Sequence, residues 1–140
     1  HTYAGIQLRA ACDKIMQEQG HEEPTGCAKI TPAFNLPCRY VLHTVGPIIM
    51  GALTKKDCDL LASCYTSCLN LAAENDLHSI AFCCISTGVF HFPPEDAARI
   101  AFKAVMDWKQ NHSSSMDVVF NVFSQKDEWI YQSVLAKEEY

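Results

Sequence analysis

One stretch decides the fold: Ser79-Ile80-Ala81-Phe82-Cys83-Cys84-Ile85-Ser86-Thr87-Gly88-Val89-Phe90-His91-Phe92-Pro93-Pro94. Its apolar part, residues 80–85, carries no charge and is short enough to form a strand buried on both faces, as in parallel sheets. Small polar residues follow, and Gly88 among them tolerates any φ. Two prolines and the acids Glu95 and Asp96 then begin a helix, because proline fixes φ and acids favour a helix N-terminus. The stretch therefore predicts a strand, a glycine loop and a helix, in that order.

A loop between a strand and a helix is a common anion site in α/β proteins. Its N–H groups converge just beyond the carboxyl end of the strand, where the helix N-terminus adds a favourable dipole. Phosphate is therefore the first ligand to consider for residues 86–90. The pattern alone leaves an alternative open, an ordinary connection with one glycine, because it contains neither a Walker lysine nor G-x-G-x-x-G.

The composition describes a single globular domain. The chain has 140 residues, of which 49% are hydrophobic and 19% charged. Its net charge of -5 opposes nucleic acid, and no cluster of lysine and arginine offsets that sign. No apolar run approaches the length of a membrane span, and there is no signal-peptide pattern. We expect a cytoplasmic protein with neither nucleic acid nor membrane as a partner.

Eight cysteines raise the question of a metal or disulfide site. None of their spacings is C-x-x-C, and the paired cysteines typical of small secreted domains are missing. Cys83 and Cys84 fall in the predicted buried strand, and Cys64 and Cys68 lie one helical turn apart beside leucines. We expect most of the thiols to be buried as small hydrophobic groups, and we predict no metal site within this chain.

Hydrophobic periodicity predicts alternating helices and strands along the whole chain. The order α β β α β α β α is typical of a three-layer α/β sandwich. His43 lies within the second strand, where we interpret it as a structural rather than a catalytic histidine. The first helix has no N-cap residue before His1, which indicates a fragment. The predicted helices cover residues 1–19, 54–75, 93–112 and 124 onward, and the predicted strands cover 27–31, 39–45, 80–85 and 117–123.

Four motifs resemble those of the macrodomain family and occur in the family's order. Residues 82–93 are similar to its phosphate-binding loop, in which an apolar strand continues into I-S-T-G, an aromatic residue, F-P and a helix. Residues 4–8 resemble the A-G-x-x-L of its first long helix. Residues 24–31 resemble its P-T-G-x-A-x-I-T, and residues 43–47 its H-x-V-G-P. The resemblance covers nearly the whole chain.

One branch of that family fits best. Residues 20–26 and 82–93, with His91 where most members carry glycine, look most like the bacterial zinc-dependent protein-ADP-ribose hydrolases. The resemblance implies that the parent protein is an enzyme that removes ADP-ribose from modified proteins. Two alternatives stay open: a non-catalytic module that binds ADP-ribose or a related nucleotide, and a phosphatase that acts on ADP-ribose phosphate.

The resemblance also implies a fold and a set of ligand-binding residues. Residues 1–140 would form a single macrodomain, a three-layer α/β/α sandwich with a mixed, largely parallel sheet. One loop would hold the diphosphate of ADP-ribose through its N–H groups, with an aromatic ring beside the distal ribose. His91 and Phe123 fall near the ribose and the adenine, and a core aromatic is the alternative for Phe123. The loop residues are Ser86, Thr87, Gly88, Val89 and Phe90.

In members of the family, several important sequence segments precede the position that His1 matches. They are one or more strands, an asparagine-rich motif that grips the proximal ribose, an acid at the adenine and, in the zinc branch, the Cys and His ligands. We therefore expect the catalytic residues and the zinc ligands of the parent outside this chain, whose N-terminal strands are missing. Hydrolysis needs a positioned water and charge stabilisation, so we expect the chain alone to be inactive. We expect its exposed sheet edge to be covered by self-association or by the missing segment.

Overall fold

The computed structural model describes residues 6–21, 24–88 and 90–138. Within them the predicted order of helices and strands is confirmed. The predicted helix start at His1 and the loop residue Val89 lie outside the described residues. The elements are α1 (Ile6–Gln19), β1 (Ala28–Pro32), β2 (Tyr40–Thr44), α2 (Lys55–Glu74), β3 (Ser79–Phe82), α3 (Pro94–Asn111), β4 (Asp117–Phe120) and α4 (Gln125–Glu138).

Helix α2 begins where its capping residues predict. The N–H of Asp57 donates to Thr54 Oγ1, and the N–H of Thr54 donates to the Asp57 carboxylate, each over 3.1 Å. This reciprocal pair satisfies two donors that a helix N-terminus otherwise leaves without partners. The helix lies at the centre of the core, where Leu61, Leu69 and Ala72 are completely buried.

The strands form two separate pairs within the described residues. Strands β1 and β2 are antiparallel, with Ala28 opposite Thr44, whereas β3 and β4 are parallel, with Ser79 opposite Asp117. The α/β class and the mixed character of the sheet are therefore confirmed. Helix α1 contacts β1 from one side and α2 contacts β1 and β2. Tyr65 of α2 packs edge-on against Phe82 of β3, with 4.8 Å between ring centroids.

Strand β3 is shorter and less buried than predicted. It ends at Phe82, and although Phe82 is buried, Ser79 and Ala81 are exposed. Successive side chains of a strand point to opposite faces, and only the Phe82 face meets the helices. On the other face Val119 of the paired strand is 56% exposed. The prediction of a strand buried on both faces is therefore wrong, because no described element packs on its second face.

The cysteines are less buried than predicted. All eight are free thiols, and only Cys64 and Cys68 are buried. Three are half-buried and three are exposed, among them Cys83, which follows β3 on its open face. The expectation that most of the thiols are buried is therefore wrong. Burial raises the pKa of Cys68 to about 12, so this thiol stays protonated and behaves as a small hydrophobic group.

The turn before β1 joins three elements and so fixes the chain beside the loop. Gly26 has φ of 87°, a value that favours glycine. Its N–H donates to the C=O of Val45 over 3.0 Å. Its C=O accepts from the hydroxyls of Ser63 and Ser67 of α2, each over 2.8 Å. The end of β2 is thereby held against α2, and the segment that follows it is directed toward residues 85–90.

Candidate phosphate-binding loop

The loop after β3 folds back on itself through its own hydrogen bonds. The N–H of Phe92 donates to the C=O of Ser86 over 2.9 Å, and the N–H of His91 donates to the C=O of Gly88 over 3.1 Å. The hydroxyl of Thr87 donates to the C=O of Cys84 over 3.3 Å. Helix α3 starts immediately afterwards at Pro94. The predicted order of strand, loop and helix is confirmed.

Four backbone donors of this loop have no acceptor within the part of the chain that the structure describes. They are the N–H groups of Ser86, Thr87, Gly88 and Phe90, none of which donates to a backbone or side-chain oxygen there. Backbone donors without a partner are costly unless water or a ligand satisfies them. Donors clustered between a strand and a helix N-terminus are suited to phosphate oxygens.

The backbone conformation of the loop differs from the prediction at its glycine. Gly88 does not lie in the positive-φ region, whereas Ser86 (φ 66°) and His91 (φ 63°) do. The tolerance of Gly88 for any φ, noted from the sequence, is therefore not used here. A Cβ atom on Gly88 would meet nothing within 4 Å, so this glycine leaves open space beside the free N–H groups. That space is where a diphosphate would approach.

A second segment supports the loop from the side of β2. A Cβ atom on Gly46 would clash with Ser86 Oγ and lie 2.7 Å from Ile85 Cγ2, so any larger residue would force these side chains to shift. The N–H of Ile49 donates to the C=O of Phe90 over 2.8 Å. Sequence reasoning missed this support, although the Gly-Pro pair at residues 46–47 was a visible signal. From the sequence, that pair follows a predicted strand and forms part of a family motif, and neither interpretation indicates a contact with the loop.

Helix α2 supports the base of the loop through Tyr65. This side chain is 1% exposed, and its hydroxyl interacts with the N–H of Ile85 and with Tyr131 of α4. Burial, followed by the neighbouring Tyr131, raises the pKa of Tyr65 well above its usual value. Burial also raises the pKa of Tyr131 to about 12. Both hydroxyls therefore stay protonated, and they position the loop rather than exchange protons.

The Macro domain family model matches residues 1–101, which is most of the chain. The chain belongs to the Macro domain family. This match confirms the resemblance that the four motifs carry. It also confirms the macrodomain fold.

Named relatives and solved structures agree with that membership. A protein-ADP-ribose hydrolase of Treponema medium is 69% identical over 136 residues, 97% of this chain and 52% of that relative. The macrodomain of Oceanobacillus iheyensis, solved with ADP, is 37% identical with a TM-score of 0.91, over 99% of this chain and 73% of that one. The macrodomain of Trypanosoma brucei, solved with ADP-ribose, is 37% identical with a TM-score of 0.72, over 80% of this chain and 46% of that one. The chain spans about half the length of the curated relatives that it matches.

The predicted site residues of this macrodomain are only partly brought together. Ser86 and Phe90 line a groove of about 960 Å³ between β2 and β3, whereas His91 and Phe123 are not part of its lining. His91 is exposed, and the side chain of Phe123 is fully exposed. The alternative interpretation of Phe123 as a core aromatic is therefore wrong. A role of either residue at the ribose or the adenine stays a prediction.

His43 lies in the β1–β2 pair and lines the same groove as Ser86 and Phe90. Its Nε2 is 2.9 Å from Thr31 Oγ1 and 3.9 Å from Cys12 Sγ, so the ring connects α1 with both strands. Burial lowers the pKa of His43 below its usual value, which keeps the ring neutral near pH 7. These contacts support the structural interpretation.

The described residues do not fit a metal ion. Within residues 6–21, 24–88 and 90–138, no group of three or more His, Cys, Asp or Glu side chains is placed to hold one. Structural and catalytic zinc sites use at least three such protein ligands. Among the same residues, no helix is both long and apolar enough to cross a membrane.

Proposed function

We propose that this chain is the ADP-ribose-binding part of a protein-ADP-ribose hydrolase. The observation that carries the proposal is the set of N–H groups at Ser86, Thr87, Gly88 and Phe90, which have no acceptor among the described residues. The name of the Treponema medium relative supports the enzyme class. The two solved macrodomains support the ligand class, because ADP and ADP-ribose share one adenosine diphosphate.

The loop would hold the diphosphate by local dipoles rather than by long-range attraction. The chain carries a net charge of -5, which does not draw an anion toward it. Backbone N–H groups and the N-terminus of α3 supply the favourable partial charges at short range. Phe90 is half-buried and lines the groove, where its ring can cover a ribose face. Loop residues Ser86 to Phe90, including Val89, together form the proposed diphosphate site, with His91 and Phe123 assigned to the sugar and the base.

The substrate of the complete protein would be an ADP-ribosylated protein, and its catalytic residues would lie outside this chain. The loop offers hydrogen-bond donors but no group that activates water. The resemblance also places the zinc ligands of the parent outside this chain, and no group of three or more such ligands is found among the described residues. A cytoplasmic location, where eight free thiols stay reduced, is part of the proposal.

Calorimetric titration of the chain with ADP-ribose and with ADP tests the diphosphate site. We expect both to bind, and we expect Gly88→Val to weaken both by at least about tenfold, or 1.4 kcal/mol, because its side chain fills the space beside the N–H groups. Gly88→Ala should fall between Gly88→Val and the unchanged chain. The Tm of both variants should stay unchanged, since a Cβ there meets nothing within 4 Å. Undiminished affinity in a folded Gly88→Val variant would contradict the proposed site.

A further inference from the structure

Two exposed apolar side chains lie in the segment that connects β2 with α2. Ile48 is 56% exposed and Met50 is 87% exposed, whereas Ile49 between them is buried in the core. This alternation is that of an extended segment, in which residues two apart point to the same side. Because Ile49 anchors the segment, its two neighbours face solvent together. We call Ile48 and Met50 the apolar ridge.

The apolar ridge is fixed beside the end of the proposed diphosphate loop. The N–H of Ile49 donates to the C=O of Phe90 over 2.8 Å. Phe90 is the residue whose ring the proposed function assigns to the distal ribose. In an ADP-ribosylated protein, the protein is joined to the anomeric carbon of that same ribose. The ridge therefore borders the end of the ligand from which the modified protein would extend.

The ridge is also separate from the groove between β2 and β3. Gly46 lines that groove, but neither Ile48 nor Met50 does. An element that fills the groove would therefore leave the ridge at the surface. Single exposed apolar residues are common, but two that face solvent together beside a ligand loop are typical of an interaction surface.

Two lysines that follow the ridge add positive charge. Lys55 and Lys56 begin α2, both are exposed, and neither forms an ion pair within the part of the chain that the structure describes. The first turn of a helix favours acids and disfavours lysines, so this pair does not stabilise α2. Residues that break a local rule without a structural gain are expected at functional sites. An acidic group on a partner would complement these two lysines.

We propose that the apolar ridge, with Lys55 and Lys56, is the docking surface for the protein that carries the ADP-ribose. It would favour proteins that present an apolar residue and an acid beside the modified position. The inference rests on the proposed function, because the ridge meets the partner only where the loop holds the ligand. Recognition then has two parts: the loop binds the diphosphate, which all such substrates share, and the ridge distinguishes one modified protein from another.

Two matched peptides test this docking surface. Each carries one ADP-ribose, joined through its distal ribose by a triazole, which does not hydrolyse. The modified residue is flanked on both sides by leucine and glutamate in the first peptide, and by serine and lysine in the second. Calorimetry gives the affinity of the chain for each peptide and for free ADP-ribose. We expect the first peptide to bind at least about fivefold more tightly than the second.

Variants at the ridge locate this preference for the first peptide. Met50→Ser should lower the preference by at least about threefold. Its affinity for free ADP-ribose and its Tm should not change, because the Met50 side chain is 87% exposed. Met50→Leu should retain the preference, since leucine is also apolar. The double variant Lys55→Gln with Lys56→Gln should weaken binding of the first peptide more than binding of the second.

Met106→Ser is the matched control for Met50→Ser. Met106 is also an exposed methionine, at 47%. It lies on α3 about three helical turns, or roughly 18 Å, beyond the start of that helix next to the loop. Its replacement removes the same side chain at a distance from the ridge, so the preference for the first peptide should stay as it is in the unchanged chain.

The outcomes separate this inference from the proposed function. Equal affinity for the two peptides, with free ADP-ribose still bound, would overturn the docking surface and leave the proposed function intact. A preference that survives Met50→Ser unchanged would also overturn it. Self-association of the chain that Met50→Ser abolishes, with equal peptide affinities, would assign the ridge to a second copy instead. If free ADP-ribose does not bind, the proposed function is wrong and the docking surface is wrong with it.

Discussion

The backbone of Gly46 passes so close to Ser86 that any larger residue would force the Ser86 side chain to shift. The two residues are far apart in the sequence, but Gly46 follows β2 while Ser86 begins the loop after β3. Their contact, with the bond from Ile49 to Phe90, fixes how far the loop lies from the end of β2. The geometry of the loop N–H groups therefore depends on a glycine outside the loop.

Gly46→Ala is expected to lower the free energy of unfolding by about 1–3 kcal/mol, because the added methyl group displaces Ser86 and the buried Ile85. Urea denaturation gives the value. Gly88→Ala is the matched control, since its Cβ meets nothing within 4 Å and its stability should stay close to that of the unchanged chain. The double variant Gly46→Ala with Ser86→Gly should recover part of the loss. Equal stability of Gly46→Ala and the unchanged chain would contradict the close approach.

The position of the loop could be predicted because its signals are contiguous: an apolar run, small polar residues and two prolines. The backbone conformation of its glycine, Gly88, could not be predicted from the sequence. The φ angles of Gly88 and its neighbours follow from bonds such as that from Phe92 to Ser86, which form only when the whole loop closes. The support from Gly46 depends on two strands lying side by side, which no local pattern specifies.

At the scale of elements, α1 is held to β1 and β2 by few buried groups. Leu8 is its buried residue among those described, and Cys12 contacts the ring of His43. His43 in turn lies 2.9 Å from the hydroxyl of Thr31 on β1. One partly buried imidazole thus connects a helix and two strands, so its protonation state bears on the stability of this part of the fold.

The free energy of unfolding is expected to fall as the pH is lowered from 7.5 through about 6.5 toward 5. Burial lowers the pKa of folded His43 below the value of 6.5 that applies when the chain is unfolded. At pH values well above 6.5 the His43 ring is neutral in both the folded and the unfolded chain, so the pH does not change the free energy of unfolding through this group. Below 6.5 the unfolded chain binds a proton that the folded chain resists, which favours unfolding.

Urea denaturation at a series of pH values measures this effect. His43→Gln should flatten the decrease, because glutamine does not titrate. His78→Gln, at an exposed histidine, is the control and should leave the slope closer to that of the unchanged chain. A pH profile of His43→Gln that superimposes on that of the unchanged chain would contradict the role of His43.

The bounds of the helices were easier to predict from the sequence than those of the strands. The Thr54 and Asp57 capping pair is local in sequence, and α2 starts as those residues predict. The extent of β3 was overestimated, because an apolar run shows neither where pairing with β4 ends nor which face the helices cover. Ser79 and Ala81 are exposed although the run that contains Ala81 has no charge.

At the level of the whole described structure, an antiparallel and a parallel strand pair both pack against α2. The alternation of strands and helices predicted the α/β class, but the separation into two pairs depends on strand order, which periodicity does not reveal. Self-association through an exposed strand edge stays a prediction. The mass of the chain in solution would measure it.

The chain assayed alone is expected to bind ADP-ribose but to release none from a modified protein. The proposed loop would hold a diphosphate equally well before and during hydrolysis, and such uniform binding does not accelerate a reaction. The resemblance places the asparagine motif and the metal ligands, which would position water at the anomeric carbon, ahead of residue 1.

Release of ADP-ribose from an ADP-ribosylated protein is measured for the chain and for the complete Treponema medium hydrolase, with calorimetry confirming that the chain binds. Turnover by the chain comparable to that of the complete relative would show that the catalytic residues lie within these 140 positions. No turnover by that relative either, with binding intact in both proteins, would favour a non-catalytic ADP-ribose-binding module.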